Sequence, residues 1–293
     1  MKGSVASDLH LEHHALADLP GGDLLLLSGD VWAVAPMRPK AQDADSRAWR
    51  KRYTKFCQEE LIKYKHVLLI MGNHEHYGGI FEDTADILRT FLSAHAPHAI
   101  LLDNETTEVD GVVFIGTTLW APYGFGTWQH IAIQKGMNDF HCIRTMERLD
   151  EYPTPSRGRT LVVPDIYKQY VNAKLFLEDA LRLNQGKPTV VMTHHAPSHL
   201  CLVEQSREFN DAYASNQHNL LDSFDIAMWT YGHTHDNKRV RVNHTLIVSN
   251  QRGYFGFERR ANYFDITEAD FTLEEVRNKK LFSSQGENCG SAY

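Results

Sequence analysis

Leu24-Leu25-Leu26-Leu27-Ser28-Gly29-Asp30 runs from four leucines through a small polar residue and a glycine into a carboxylate. A short apolar run without polar alternation reads as a strand buried on both faces. The arrangement recurs along the chain. Val67 to Met71 leads into Gly72-Asn73-His74-Glu75, and Thr189 to Met192 leads into Thr193-His194-His195-Ala196-Pro197. Ile226 to Tyr231 leads into Gly232-His233-Thr234-His235, and residues 3–7 form a shorter version ending at Asp8-Leu9-His10. Each run places a polar residue at its C-terminal end, the edge at which open α/β sheets bind ligands.

Asp8, His10, Asp30, Asn73, His194, His233 and His235 offer carboxylates, imidazoles and one amide oxygen. That mixture suits Mn²⁺ first, with Fe, Zn²⁺ or Ni²⁺ as alternatives. A structural zinc site would instead favour a Cys-rich tetrahedron. Alternate residues of an extended segment point the same way, so the D-x-H and H-x-H spacings are expected to converge on an ion. Gly29, Gly72 and Gly232 precede donors and allow a sharp turn or a close approach, though an ordinary turn explains them almost as well. His74 follows a donor, so it can lie beside the ions without binding them and serve a leaving group. Glu75 is expected either to orient that imidazole or to be a surface carboxylate. His195 is expected either to touch the phosphate or to be a packed loop residue. Arg252 could clamp a phosphate or make a structural ion pair. Asn210 and Asp211 are rim candidates, and His13, His14 and His76 are expected to be exposed.

In this order the motifs resemble the calcineurin-like metallophosphoesterase superfamily, from about residue 4 to about residue 253. Ser7-Asp8-Leu9-His10-Leu11-Glu12, Met137-Asn138-Asp139-Phe140 and His195-Ala196-Pro197-Ser198 are similar to a bacterial and phage-type branch of poorly assigned phosphoesterases. The resemblance implies an α/β fold, a four-layer αββα sandwich of two mixed sheets with a dinuclear metal site at the strand C-terminal ends. It implies Asp8, His10 and His235 on one metal, Asn73, His194 and His233 on the other, and Asp30 bridging both. It also implies His74 as general acid and attack by a metal-bound hydroxide. One departure stands out. Protein phosphatases of the superfamily carry G-D-x-x-D-R-G, whereas this chain reads Gly29-Asp30-Val31-Trp32-Ala33-Val34-Ala35. The second Asp and the Arg are missing, which counts against a protein substrate and leaves the metal centre untouched.

The chain has 293 residues, enough for one large core, and no composition break or repeat divides it. Residues 1–279 are expected to form one domain with an aromatic-rich, irregular insertion at about 119–164, and 280–293 a polar tail. Net charge is −7, which disfavours a non-specific nucleic-acid binder. Arg47, Arg50, Lys51, Arg52 and Lys55 read as a solvated helix face. The four cysteines form no C-x-x-C pair, the N-terminus has no signal-peptide layout, and no apolar run approaches membrane-spanning length. A cytoplasmic enzyme without a membrane partner is the expectation.

The expected function is a metal-dependent phosphoesterase, with phosphodiesters favoured and a small phosphate ester or nucleotide as substrate. Phosphomonoesterase and nuclease are the alternatives on the same centre. A catalytically silent binding protein of the same fold is the alternative from another class, but such proteins lose ligands, and here all are present. The insertion aromatics Trp120, Tyr123, Phe125, Trp128, Phe140 and Tyr152 could stack a nucleobase, although packing among themselves is favoured.

Overall fold

The computed structural model describes residues 1–147, 158–202 and 209–279. Tyr152 and part of the insertion, Cys289 and the tail at 280–293 lie outside these.

Two large sheets carry the chain. The first contains β1 (Lys2–Ala6), β2 (Gly22–Ser28), β3 (Tyr64–Ile70) and β4 (Ala99–Leu101), all parallel. The second contains β5 (Glu105–Val109), β6 (Val112–Gly116), β9 (Thr189–Met192), β10 (Met228–Thr230), β11 (Arg239–Val242) and β12 (Thr245–Val248), in the order β11-β12-β10-β9-β6-β5. A small hairpin of β7 (Arg144–Thr145) and β8 (Arg159–Thr160) lies apart. β13 (Phe271–Thr272) closes the first sheet, antiparallel to β1. Both sheets are mixed, because β13 runs antiparallel in the first and β5 and β11 run antiparallel to their neighbours in the second. The turn at Asp110-Gly111 has φ of 49° and 73°, the left-handed pair a tight hairpin requires.

The leucine run explains the layering. Leu24 and Leu26 face the second sheet and share a core with Leu68, Ile70, Phe114, Val190, Met192 and Met228. Leu25 and Leu27 face the other way, onto α1 (Ala44–Glu59) and α2 (Thr84–His95), among Tyr53, Phe56, Leu88 and Phe91. The second sheet repeats the pattern outward: Val113, Ile115, Val191 and Trp229 pack with Leu177 and Ala180 of the long C-terminal-half helix Val163–Leu183. The result is helix, sheet, sheet, helix. Strand side chains alternate, so only strands apolar at every position can bury both faces. Ala33 and Val34, where a protein phosphatase would place its Asp and Arg, are both buried, Val34 within the α1–α2 core.

The segment expected to be irregular contains α3 (Gln129–Gly136) and α4 (Asp139–Cys142). Pro164, at the end of that segment, sits in the first turn of the helix α5 (Val163–Leu183), where proline costs no hydrogen bond. Trp120, Tyr123 and Phe140 are core residues. Phe125 stacks on Tyr167 with ring centroids 4.1 Å apart, and Trp128 is exposed. Among the described residues no helix is long and apolar enough to cross a membrane.

Candidate metal centre

The C-terminal ends of β1, β2 and β3 meet those of β9 and β10. The loop after β1 runs beside the loop after β2, with Asp8 N donating to Gly29 O at 3.0 Å, His10 N to Asp30 O at 3.0 Å and Leu11 N to Val31 O at 2.9 Å. The two sheets are tied there by His233 N donating to Asp8 Oδ1 at 2.9 Å and by a 2.8 Å contact between the Ser28 and Thr230 hydroxyls.

The structure brings all seven expected donors together. Asp8, His10 and His235 place donor atoms within 4.8 Å of one another, as do Asp30, His194 and His233. His10 Nε2 lies 3.1 Å from His235 Nε2 and 3.9 Å from Asp30 Oδ2, and His235 Nε2 lies 3.4 Å from Asp8 Oδ1. On the other side His194 Nε2 is 3.0 Å from Asn73 Oδ1 and 3.3 Å from Asp30 Oδ2. Two atoms each about 2.1 Å from one ion, at tetrahedral or octahedral angles, stand roughly 3.0–3.4 Å apart.

The outer ring nitrogens decide what the inner ones need. His10 Nδ1 is 3.1 Å from Glu12 Oε1, His235 Nδ1 is 2.7 Å from Glu258 Oε1, and His194 Nδ1 is 2.9 Å from Ser28 O. Those partners accept only, so each Nδ1 carries the proton and each neutral ring turns its Nε2 lone pair inward. There the lone pairs face one another, carboxylates and an amide oxygen. Asn73 is fixed likewise, since its Nδ2 donates to Asp139 Oδ1 at 2.8 Å and leaves Oδ1 toward His194. Asp139 also accepts from the Tyr77 and Tyr123 hydroxyls, each at 2.8 Å. The Nε2 of His233 is buried without a protein partner. Cations satisfy this convergence of acceptors, so the residues fit two divalent ions.

Protons are the competing cations. Burial opposes charge on His194 and His235, but Asp30 outweighs it for His194, pushing it up to about 9. Asp8 and Glu258 do the same for His235, pushing it up to about 10. In the absence of an ion each of these rings therefore favours a proton on Nε2, and must give it up for that lone pair to bind an ion. Metal binding at pH 7 should release about two protons per chain, and affinity should rise with pH toward 9–10. Calorimetry in buffers of different ionisation enthalpy reads the number directly, and no proton release would contradict the ligand set.

The i, i+2 spacing works by a different geometry from the one expected. The donors are not on extended backbone. Asp8, His10, Asp30, His233 and His235 have φ of 53°, 45°, 53°, 70° and 53°. Left-handed turns swing these side chains inward, and each non-glycine residue so held costs about 1–3 kcal/mol, the kind of strain kept at functional sites. The glycines are required by close approach. A Cβ on Gly29 would stand 2.6 Å from His194 Nδ1, one on Gly232 2.6 Å from Asp8 Oδ2, and one on Gly72 would collide with the Asp30 carboxylate.

Several secondary expectations are corrected. Glu75 does not orient His74 and is not on the surface. Its oxygens accept from Gly72 N at 2.7 Å, Val31 N at 2.8 Å and Asp30 N at 2.9 Å, clamping two donor loops together. Burial and Asp30 push its carboxyl up to about 8, against the pull of those N–H donors. Glu75→Ala leaves buried amides unpaired and should cost about 3 kcal/mol or more, visible as a lowered denaturation midpoint. An unchanged midpoint would mean the loops hold without the clamp. Arg252 makes no ion pair with a carboxylate among the described residues: buried, it donates to Leu9 O and Ala15 O, each at 3.0 Å, and so braces the loop after β1. His195 is fully buried, with Nε2 3.0 Å from the Tyr123 hydroxyl and its ring centroid 4.1 Å from that of His233. His76 is buried too, stacked on Phe81. Asp211 pairs with His199 at 3.2 Å.

His74 lies at the edge of the centre. Its backbone N–H donates to Asp30 Oδ1 at 2.8 Å, its Nδ1 is 3.0 Å from Glu12 Oε1, and its Nε2 is 3.0 Å from the Tyr254 hydroxyl. Each ring nitrogen has a hydrogen-bond partner, and the ring also lies with His10 and Asp30 in a third group of side chains close enough to share an ion. Glu12, Asp139, Glu258 and Tyr254 are the functional positions that sequence reading missed. Glu12 had a signal: it extends the spacing to D-x-H-x-E. Asp139 lay in a motif quoted without a role. Glu258 and Tyr254 sit in a loop with no local pattern.

A two-sheet sandwich with this convergence of Asp, His and Asn defines a dinuclear metallohydrolase architecture. The calcineurin-like phosphoesterase family profile matches residues 5–237, and the chain belongs to that family. An uncharacterised protein of Acanthamoeba polyphaga mimivirus is 27% identical over 269 residues, covering 85% of this chain and 89% of that one. Among solved structures, phosphopantetheinyl hydrolase of Mycobacterium tuberculosis superposes with a TM-score of 0.58 at 17% identity, covering 86% of this chain and 90% of that one. That likeness concerns the fold. The family supports metal-dependent hydrolysis of phosphate esters.

Proposed function

We propose that the protein is a cytoplasmic phosphodiesterase using two divalent ions, Mn²⁺ foremost, on a small nucleotide-type ester. The observation that carries the diester reading is the pair of cavities meeting at His74. One, of about 470 Å³, opens over Asp30, Asn73, His233 and His235. The other, of about 820 Å³, extends past Glu12, Pro36 and Trp49. His74, Tyr77, Asn138 and Tyr254 border both. A diester needs room for an organic arm on each side of phosphorus, whereas a monoester needs one. The donor set, mixed in oxygen and nitrogen, favours Mn²⁺. Cys57, Cys142 and Cys201 are free thiols, in keeping with a reducing compartment.

When bound, the ions supply charge neutralisation for the phosphate oxygens and an acidified water as nucleophile. Asp30, between the two donor groups, would hold both positions. As the new P–O bond forms and the ester P–O bond breaks, the leaving oxygen needs a proton. His74 supplies it from Nε2, and the Tyr254 hydroxyl occupies the place from which that oxygen would accept it. Glu12 holds the opposite nitrogen and sustains the cationic ring.

A substrate panel with added Mn²⁺ tests the reading. Bis-p-nitrophenyl phosphate and cyclic or linear dinucleotides should be turned over in preference to p-nitrophenyl phosphate. Preference for the monoester would establish a phosphatase instead, and activity only on long oligonucleotides a nuclease.

A further inference from the structure

The larger cavity has a chemical character of its own. Ala33, Ala35, Pro36 and Ala41 give it an apolar floor, and the half-buried Trp49 and the exposed Phe257 give it aromatic walls. Its ionisable lining is Glu12, His13, His74, Arg38 and Lys40. Glu12 is committed to His10 and His74, which leaves Arg38 and Lys40 as the charged groups open to a ligand, on a chain of net charge −7. Arg38 is incompletely used by the protein. Its Nη2 meets Asp83 at 3.5 Å, and its Nε is buried without a partner. Lys40 is exposed.

The segment carrying these cations is held in place. Arg50 of α1 donates from Nε to Pro36 O at 2.9 Å and from Nη2 to Arg38 O at 3.2 Å, and it also donates to Ala41 O. One guanidinium thus fixes the carbonyls on both sides of Arg38 and Lys40. A preset loop presenting a fork-shaped and a point-like cation is what recognition of a phosphate calls for.

We infer that this cavity is the subsite for the leaving arm of the substrate, and that the arm is a nucleoside bearing a second phosphate. The base lies against Trp49 and Phe257, the second phosphate against Arg38 and Lys40, and the leaving hydroxyl points to His74. This rests on the phosphodiesterase reading above. It adds that the product released on the His74 side is a nucleoside monophosphate. Aromatic walls accept any base face, so the cations, not base edges, set the preference. Of the insertion aromatics, Trp120, Tyr123 and Phe140 are buried in the core and take no part.

Calorimetry on the full chain, with and without Mn²⁺, tests this using adenosine monophosphate, adenosine and inorganic phosphate. Adenosine monophosphate should bind about tenfold more tightly than adenosine, and should still bind after metal removal, when inorganic phosphate no longer does. Arg38→Gln with Lys40→Gln should erase the advantage over adenosine and leave inorganic phosphate binding to the Mn²⁺-loaded chain unchanged. Trp49→Leu should weaken adenosine and adenosine monophosphate alike. Loss of adenosine monophosphate binding on metal removal, or affinity untouched by the double substitution, would place its phosphate on the metals and overturn the inference. A chain that binds adenosine monophosphate through Arg38 and Lys40 but hydrolyses no diester would refute the proposed reaction and keep the subsite.

Discussion

Asp30→Ala should strip the protein of both metal ions and lower hydrolysis of bis-p-nitrophenyl phosphate by about 10³-fold or more. The carboxylate stands between the two donor clusters, with Oδ2 3.3 Å from His194 Nε2 and 3.9 Å from His10 Nε2. Burial opposes its ionisation, yet His194 and His74 hold it well below the usual carboxylate range, so it is a charged anchor at any working pH. Removing it takes a ligand from each ion and leaves the facing imidazoles without a counter-charge. Metal ions contribute several kcal/mol to such transition states, and each 1.36 kcal/mol is about a factor of ten. Asp30→Asn is the companion variant. Its amide oxygen can still accept from the His74 N–H, so the fold is preserved while the bridging charge is lost. Metal analysis after gel filtration should show close to no bound ion in either variant. One tightly held zinc, unchanged by both substitutions, would sink the dinuclear centre.

The strand ends that build this centre were legible because two physical rules coincide in them. A run such as Leu24–Leu27 can only be buried on both faces, and a sheet buried on both faces exposes its strand ends. The ligand residues stand at those ends, so pattern and position carried the same message. What the sequence does not carry is the local backbone. Asp8-Leu9-His10 looks like an extended segment, and only its left-handed φ values show why both side chains reach inward. Partners chosen across the chain are equally silent. Glu75 adjoins His74 in sequence, yet it turns away to bind backbone amides of two loops, while Glu12, sixty-two residues earlier, reaches His74. Adjacency in a turn does not give adjacency of side chains. Arg252 shows the same limit: a buried guanidinium near a ligand edge is as useful for holding carbonyls as for holding phosphate, and the difference lies in where the loop after β1 folds.

His74→Ala separates leaving-group chemistry from metal binding. The contact linking His74 to the bridging carboxylate is made by its backbone N–H, so the substitution keeps it, and metal content should stay at two ions. The side chain does the rest. Burial opposes a charged ring here, but Asp30 and Glu12 overcome it and raise the imidazole above its ordinary value, which favours its acid form. Proton donation is worth about 10²–10⁴-fold, and the loss should approach that range for a nucleoside alkoxide, which leaves poorly without a proton. For p-nitrophenolate, already a stable anion, the loss should be much smaller. Glu12→Gln supplies the complementary test. It removes the anion that holds Nδ1 and sustains the charge, so the alkaline fall in rate should move to lower pH. Glu12 also holds His10, so a weaker metal position on that side should accompany the shift. Equal losses of His74→Ala on both leaving groups would make His74 a phosphate-positioning residue. Loss of metal in that variant would make it a ligand, and Tyr254, whose hydroxyl lies 3.0 Å from His74 Nε2, would then be the first candidate for the proton donor.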